Sequence, residues 1–293
     1  MRKQEGFSKA ELQHFRDVQR LANDCVVEVS ELLYVGITEK KTCELMVEWF
    51  ADKDIHTYFH RPFAWFGDRS AFTDFWNDFK FFPTNRRLVE GMPVILDVAP
   101  AVGGYSADIG YSFTYGNDCS IQQQIRKDLI DYRYLILEAV KRGDTFQKIY
   151  QDIDKKLEEQ GYDNIHSIYP KRVLAHRVGK IDESILDRLH ILGFGFRPLQ
   201  WLAPHSAKIK RIVGEELSPF WNGGESSNHK PLPGVWAVEP HLGFRGIGAK
   251  WEEILVITED DAYWLDDDVP HMVEAREKGW VENALESLQC EIA

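Results

Sequence analysis

Four carboxylates and one imidazole stand in this chain where charge is expensive. Asp97 lies inside the apolar run Val94-Ile95-Leu96-Asp97-Val98, and Asp108 lies in Ser106-Ala107-Asp108-Ile109-Gly110. A turn through Gly103-Gly104 joins the two segments, so a hairpin could bring both side chains to one face. Glu239 ends the run Val235-Trp236-Ala237-Val238, Glu252 opens Trp251-Glu252-Glu253-Ile254-Leu255, and His176 sits in Val173-Leu174-Ala175-His176-Arg177. Burying an isolated charge costs several kcal/mol or more unless it is paired. Singly, each residue has an ordinary structural role, an Asp capping a turn or a His satisfied in a core. Together they form a surplus of acid on strand-like segments, with no comparable supply of nearby Lys or Arg. Divalent ions would neutralise it, and hard oxygen donors with one nitrogen suit Mn, Co, Fe or Zn.

The elements that must hold these residues can be read from periodicity. Ser8-Lys9-Ala10-Glu11 is a capping box, followed by apolar residues at helical spacing through Phe15, Val18, Leu21, Ala22, Cys25, Val26 and Val29. Thr38 caps a second helix. From Pro93 the pattern becomes strand, turn, strand, then two helices follow over 120–141 and 145–160. Strand-like runs occupy 173–176, 235–239, 244–247, 250–258 and 263–265. Residues 58–82 are rich in Phe, Tyr and Trp, either core beneath a loop or the lining of a substrate pocket. Residues 189–231 form a long irregular Gly/Pro/Trp segment; loops of that length are usually functional or disordered, and the aromatic content argues against disorder. Helices followed by strands, twice over, predict an α+β fold of two similar halves, about 1–160 and 161–293, in one domain.

Composition narrows the function. The 293 residues are 44% hydrophobic and 28% charged, enough for a real core. Lys plus Arg number 35 against 47 Asp plus Glu, a net charge of −12. That balance argues against nucleic acid and against anionic membrane surfaces as partners, since both need a basic face. Cys25, Cys43, Cys119 and Cys290 form no Cys-x-x-Cys pair and read as reduced thiols. A charged amino terminus without an apolar core, and no apolar run near the ~20 residues of a membrane span, complete the expectation of a cytoplasmic protein.

The five-part spacing resembles the pita-bread metallopeptidases of family M24: methionine aminopeptidase, aminopeptidase P, prolidase and the creatinase relatives. The hairpin motif matches ILDVAPAVGGYSADIG, the ligand histidine matches His176 in AHRVGK, and the Pro-Gly-strand-Glu-Pro motif matches LPGVWAVEP. The closing Glu strand matches KWEEILVIT, and counting back from the threonine selects Glu252 rather than Glu253. The resemblance covers essentially the whole chain, with no separate N-terminal domain. It implies a pita-bread fold, two divalent metal ions and a homodimer. It further implies that Asp97 chelates one ion, that Asp108 and Glu252 bridge both, and that His176 and Glu239 complete the second. Glu239 would also shuttle a proton to the leaving amine. The implied activity is a metal-dependent hydrolase, an aminopeptidase or Xaa-Pro-type dipeptidase acting on a small peptide or small-molecule amide. The alternatives are a non-peptide C–N hydrolase or metal-dependent redox enzyme, and a non-catalytic binding protein of the same fold.

Departures from the family concern the substrate shell. The family places a histidine shortly before the first Asp, where this chain reads PFAWFGDRSAFTDFW, and His56 and His60 lie well upstream. Seven residues past His176, where another histidine is usual, stands Glu183, with His190 and His205 beyond. His241, two residues after Glu239, either shares its strand face and replaces a lost histidine as a catalytic group, or is a strand-end residue. Trp65, Phe66 and Arg69 are expected to wall the substrate pocket, with Arg69 pairing either a substrate carboxylate or Asp68 or Asp74 at the surface.

Overall fold

The computed structural model describes residues 6–73, 78–117, 119–181 and 219–285. Helix α1 (Lys9–Glu31) opens with the anticipated capping box, the Glu11 amide donating to Ser8 Oγ and the Ser8 amide to Glu11 Oε2. Helix α2 (Glu39–Ala51) is capped by Thr38. Both pack their apolar stripes, Cys25, Val26, Met46 and Phe50 among them, on a first antiparallel sheet. That sheet contains β1 (Thr57–Phe66), β2 (Pro93–Val102), β3 (Tyr105–Ser106) and β4 (Ile109–Thr114). Strand β2 lies between β1 and β4, with Asp97 opposite Gly110 on β4. Gly103 and Gly104 make the connecting turn with φ of 57° and 83°, a conformation that costs glycine little.

A second pair of helices, α3 (Ser120–Arg142) and α4 (Phe146–Glu159), covers a second sheet. This sheet runs in the order β12 (Ala262–Trp264), β11 (Glu253–Ile257), β8 (Gly234–Val238), β6 (Val173–Val178) and β7 (Phe220–Asn222). Ile136, Ile149 and Ile153 meet Trp221, Trp236 and Leu255 there in a continuous apolar core. Burying an aromatic or a branched aliphatic side chain contributes about 1.5–3 kcal/mol. Strands β5 (Asp163–Asn164), β9 (His241–Phe244) and β10 (Ile247–Lys250) form a small third sheet, and α5 (Pro270–Glu277) packs near α3. The architecture is the anticipated α+β, with helix pairs laid on antiparallel sheets. Among the described residues no helix is long and apolar enough to cross a membrane.

Two local readings change. Strand β1 occupies the aromatic stretch, which carries no alternation because nine of its ten residues are buried. Residues 244–247, read as a strand, are a tight hairpin: Phe244 pairs with Ile247 across Arg245 and Gly246, both at positive φ. The 189–231 segment falls outside the described residues up to 218, as do Glu183, His190, His205, Asp74 and Cys290.

Candidate metal centre

The first sheet is joined to the second at β4. Gly110 on β4 and Glu252 exchange backbone hydrogen bonds, at 3.2 and 3.4 Å. Around this bridge the fold gathers the five residues picked out by their charge. Asp97, Asp108, His176, Glu239 and Glu252 are all buried. His176 Nε2 lies 3.2 Å from Asp108 Oδ2 and 3.6 Å from Glu252 Oε1. Glu252 faces inward while Glu253 points to the opposite side, where it accepts from Arg133 and lies 2.9 Å from His271 Nε2. Strand alternation therefore separates the adjacent glutamates as the register predicts.

Two residues join them that the spacing argument passed over. His60, 7% exposed, reaches in from β1 with Nε2 3.0 Å from Asp108 Oδ1 and 3.2 Å from Asp97 Oδ1. Lys250 at the end of β10 is buried, and its ammonium donates to Asp97 Oδ2 at 2.7 Å, Glu252 Oε2 at 2.8 Å and Glu239 Oε2 at 3.0 Å. Three donors meet three carboxylates. Gly110 makes room for it, since a Cβ there would stand 2.5 Å from Lys250 Cε. The expectation that no cation neutralises the acids is corrected by this lysine. Lys250 ends β10 in the third sheet whereas Glu252 leads into β11 in the second, so two-residue alternation does not announce the contact.

The electrostatics follow from crowding four acids among three cations. Burial alone would push His60 down, yet Asp108 and then Asp97 hold it well above the usual imidazole value. His176 is likewise raised, to about 10, by Asp108 and Glu252 against the effect of burial. Burial works to raise Asp108, and the two imidazoles override it and hold the carboxyl low. Glu239 is pushed up to about 8 by burial and by the neighbouring Glu252, with Lys250 acting in the other direction.

The donor set fits divalent ions. One donor atom each from His60, Asp97 and Asp108 lies within 4.8 Å of the others, and the same holds for Asp108, His176 and Glu252. Ligand distances of about 2.0–2.2 Å place neighbouring donors roughly 3–3.5 Å apart, and the imidazole-to-carboxylate separations here are 3.0–3.6 Å. Asp97 Oδ1, buried and without a hydrogen bond, is an oxygen left for a ligand to satisfy.

The remaining candidates sit elsewhere. The chain leaves the second sheet at Glu239-Pro240, so His241 starts β9 in the third sheet and alternation does not carry over from Glu239. Its Nε2–H donates to Ser70 O at 2.7 Å, and Nδ1 lies 3.0 Å from the Tyr169 hydroxyl. Burial, reinforced by Lys250, keeps this ring neutral. Trp65 is 1% exposed and donates to Phe81 O, and Phe66 is wholly enclosed beneath α1 and α2. Arg69 binds neither Asp68, which pairs with Arg86, nor a cleft: its guanidinium pairs with buried Glu39 at 2.8 Å and donates to the carbonyls of Lys80 and Phe82. Trp65 and Phe66 are thus core residues. Arg69→Met is accordingly expected to lower stability by about 2 kcal/mol, the scale of hydrogen bonds to a charged group. Glu39 keeps the Phe66 amide and Thr84 as donors, which limits the loss. Denaturant unfolding would show the drop, and an unchanged midpoint with a raised KM would return Arg69 to the substrate.

The description "Metallopeptidase family M24" belongs to the family model that matches residues 13–259. Among solved structures, the X-Pro aminopeptidase of Thermotoga maritima aligns with a TM-score of 0.61 at 16% identity, over 89% of this chain and 62% of its own. The prolidase of Pyrococcus furiosus gives 0.63 at 18% identity, over 89% and 64%. A dipeptidase of Mycobacterium ulcerans gives 0.64 at 18%, over 92% and 60%. At these identities the likeness concerns the fold, and the chain spans 60–64% of the length of these structures. No curated protein matches the sequence.

Proposed function

Because this chain belongs to metallopeptidase family M24, we propose that it is a dinuclear metal-dependent hydrolase that cleaves an amide in a small peptide, of the Xaa-Pro dipeptidase or aminopeptidase type. The observation that carries the reading is the burial of Asp97, Asp108, His176, Glu239 and Glu252 together, with His176 within 3.2 Å of Asp108 and one lysine binding the other three acids. Asp97, Asp108, His176, Glu239 and Glu252 are the metal-binding residues in this reading. Bound there, two divalent ions supply Lewis-acid activation of water and of the amide carbonyl. The protein's own groups handle orientation and protons. Glu239 is the group that would take a proton from the attacking water and pass it to the leaving amine. Lys250 fixes one oxygen of Glu239 and so orients the carboxyl. His241 acts at a remove, its Nδ1 lying 3.0 Å from the hydroxyl of Tyr169, whose ring lies 5.3 Å from the Lys250 ammonium.

Manganese is the metal we favour, on the strength of an oxygen-rich donor set. A reducing cytoplasmic setting is supported by Cys25 and Cys43, both buried thiols without a disulfide partner. The neighbours named prolidase and X-Pro aminopeptidase suggest the substrate class. Purified protein loaded with Mn or Co is expected to hydrolyse members of an Xaa-Pro dipeptide and tripeptide panel, and to lose that activity on chelation. Full metal occupancy with no turnover of any peptide would remove the peptidase reading.

A further inference from the structure

We infer that His60 is a metal ligand, so that the centre carries one imidazole for each ion rather than the single one at His176. The inference deepens the dinuclear reading above and rests on it.

The two histidines are built alike. His60-Arg61 lies on β1 and His176-Arg177 on β6. Each Nδ1 faces the carbonyl oxygen of the arginine that follows, at 2.9 Å for His60 and 3.3 Å for His176. That contact places the ring proton on Nδ1 and aims Nε2 inward, as ligating histidines commonly require. Each Nε2 then meets a different oxygen of one carboxylate, Asp108 Oδ1 for His60 and Oδ2 for His176. The strand partners repeat the pattern. His60 pairs with Ala99, two residues from Asp97, and His176 with Ala237, two residues from Glu239.

The backbone around His60 is shaped to deliver the ring. Register shifts fall on both sides of it, between Tyr58 and His60 and between His60 and Phe63. Each adds a residue on β1 against β2, and bulges of this kind re-aim side chains beside functional sites. Pro62, which cannot donate to the ladder, lies in the second. Lys250 supplies the complementary reason. It claims Asp97 Oδ2 and Glu252 Oε2, so each of these acids has one oxygen left to give. Asp97 Oδ1 has no hydrogen bond and lies 3.2 Å from His60 Nε2. An imidazole nitrogen supplies the donor that the lysine has drawn away.

The decisive measurement counts imidazoles per ion in the intact wild-type protein. X-ray absorption of protein loaded with Co or Mn should give one imidazole per ion at two ions per chain. Metal titration by calorimetry should then show His60→Ala losing one class of site, weakened by more than the ~10–100-fold typical of losing a contact to a ligand rather than the ligand itself, while the other class keeps its affinity. Two ions with a single imidazole between them, and an unaltered titration in the variant, would overturn the inference and leave the dinuclear reading intact. A histidine serving only as counter-ion to Asp97 and Asp108 would instead lower the melting temperature without moving either affinity, which also overturns it. Wild-type protein that takes up no ion would sink both readings together.

Discussion

Asp108→Ala is expected to strip the protein of both ions, taking metal content from two per chain to none and activity down by well over ~100-fold. The ~10–100-fold losses seen when only outer contacts of a metal ligand are removed set the floor for this effect. The reason is the position of one carboxylate. Asp108 Oδ1 faces His60, Oδ2 faces His176, and the residue belongs to both donor groups. Among the described residues no other does. Glu253→Gln is the informative control, although it is not a silent change. Glu253 is fully buried against Arg133 and His271, so its substitution should cost stability while metal content stays at wild-type level. Elemental analysis after dialysis separates the two. Full metal in Asp108→Ala would mean that the carboxylates bind cations in some other arrangement.

How much of this was legible in the sequence depends on which residues announce themselves by misfit. Asp97, Asp108, His176, Glu239 and Glu252 are charged or polar residues in apolar runs, and the fold does bring all five to one place. The same rule would have found His60, a histidine inside the run Thr57 to Phe66, had β1 been recognised as a strand. It was not, because a strand buried on both faces shows no alternation, and two bulges break what periodicity remains. Sequence distance from Asp97 then made His60 look remote, whereas antiparallel pairing of β1 with β2 folds that distance away. Arg69 illustrates the opposite error. A lone arginine among aromatics suggests a carboxylate-bearing substrate, yet its carboxylate is Glu39, thirty residues earlier on α2. Chain proximity gave no hint of that pair. At His241 alternation gives no placement, because Pro240 ends the strand and the two-residue period cannot be carried across a change of sheet.

Lys250→Met is expected to destabilise the metal-free protein by about 3–5 kcal/mol, the usual consequence of removing one partner from a buried ion pair. That corresponds to a fall of roughly 5–15 °C in melting temperature for a chain of this size. Methionine fills the channel over Gly110 almost as lysine does, so the loss is one of charge rather than packing. Asp97, Glu239 and Glu252 then face one another without the ammonium that donates to all three. Glu239 and Glu252, both raised already, respond by keeping protons. Glu239, already raised from 4.5 to about 8 with Lys250 present, holds its proton more tightly still in the variant. A carboxyl raised on folding contributes its stability below its unfolded value and loses it as pH climbs through the folded one. The gap between variant and wild type should therefore stay level up to about pH 8 and widen above it, where wild type has released the Glu239 proton and the variant still holds it. Adding Mn or Co should close much of it, because divalent ions supply the missing positive charge and bind only the folded state. Thermal melts of both proteins across pH, with and without metal, test each part. A metal-free variant as stable as wild type at pH 8 would show that the lysine is not the cation holding these carboxylates together.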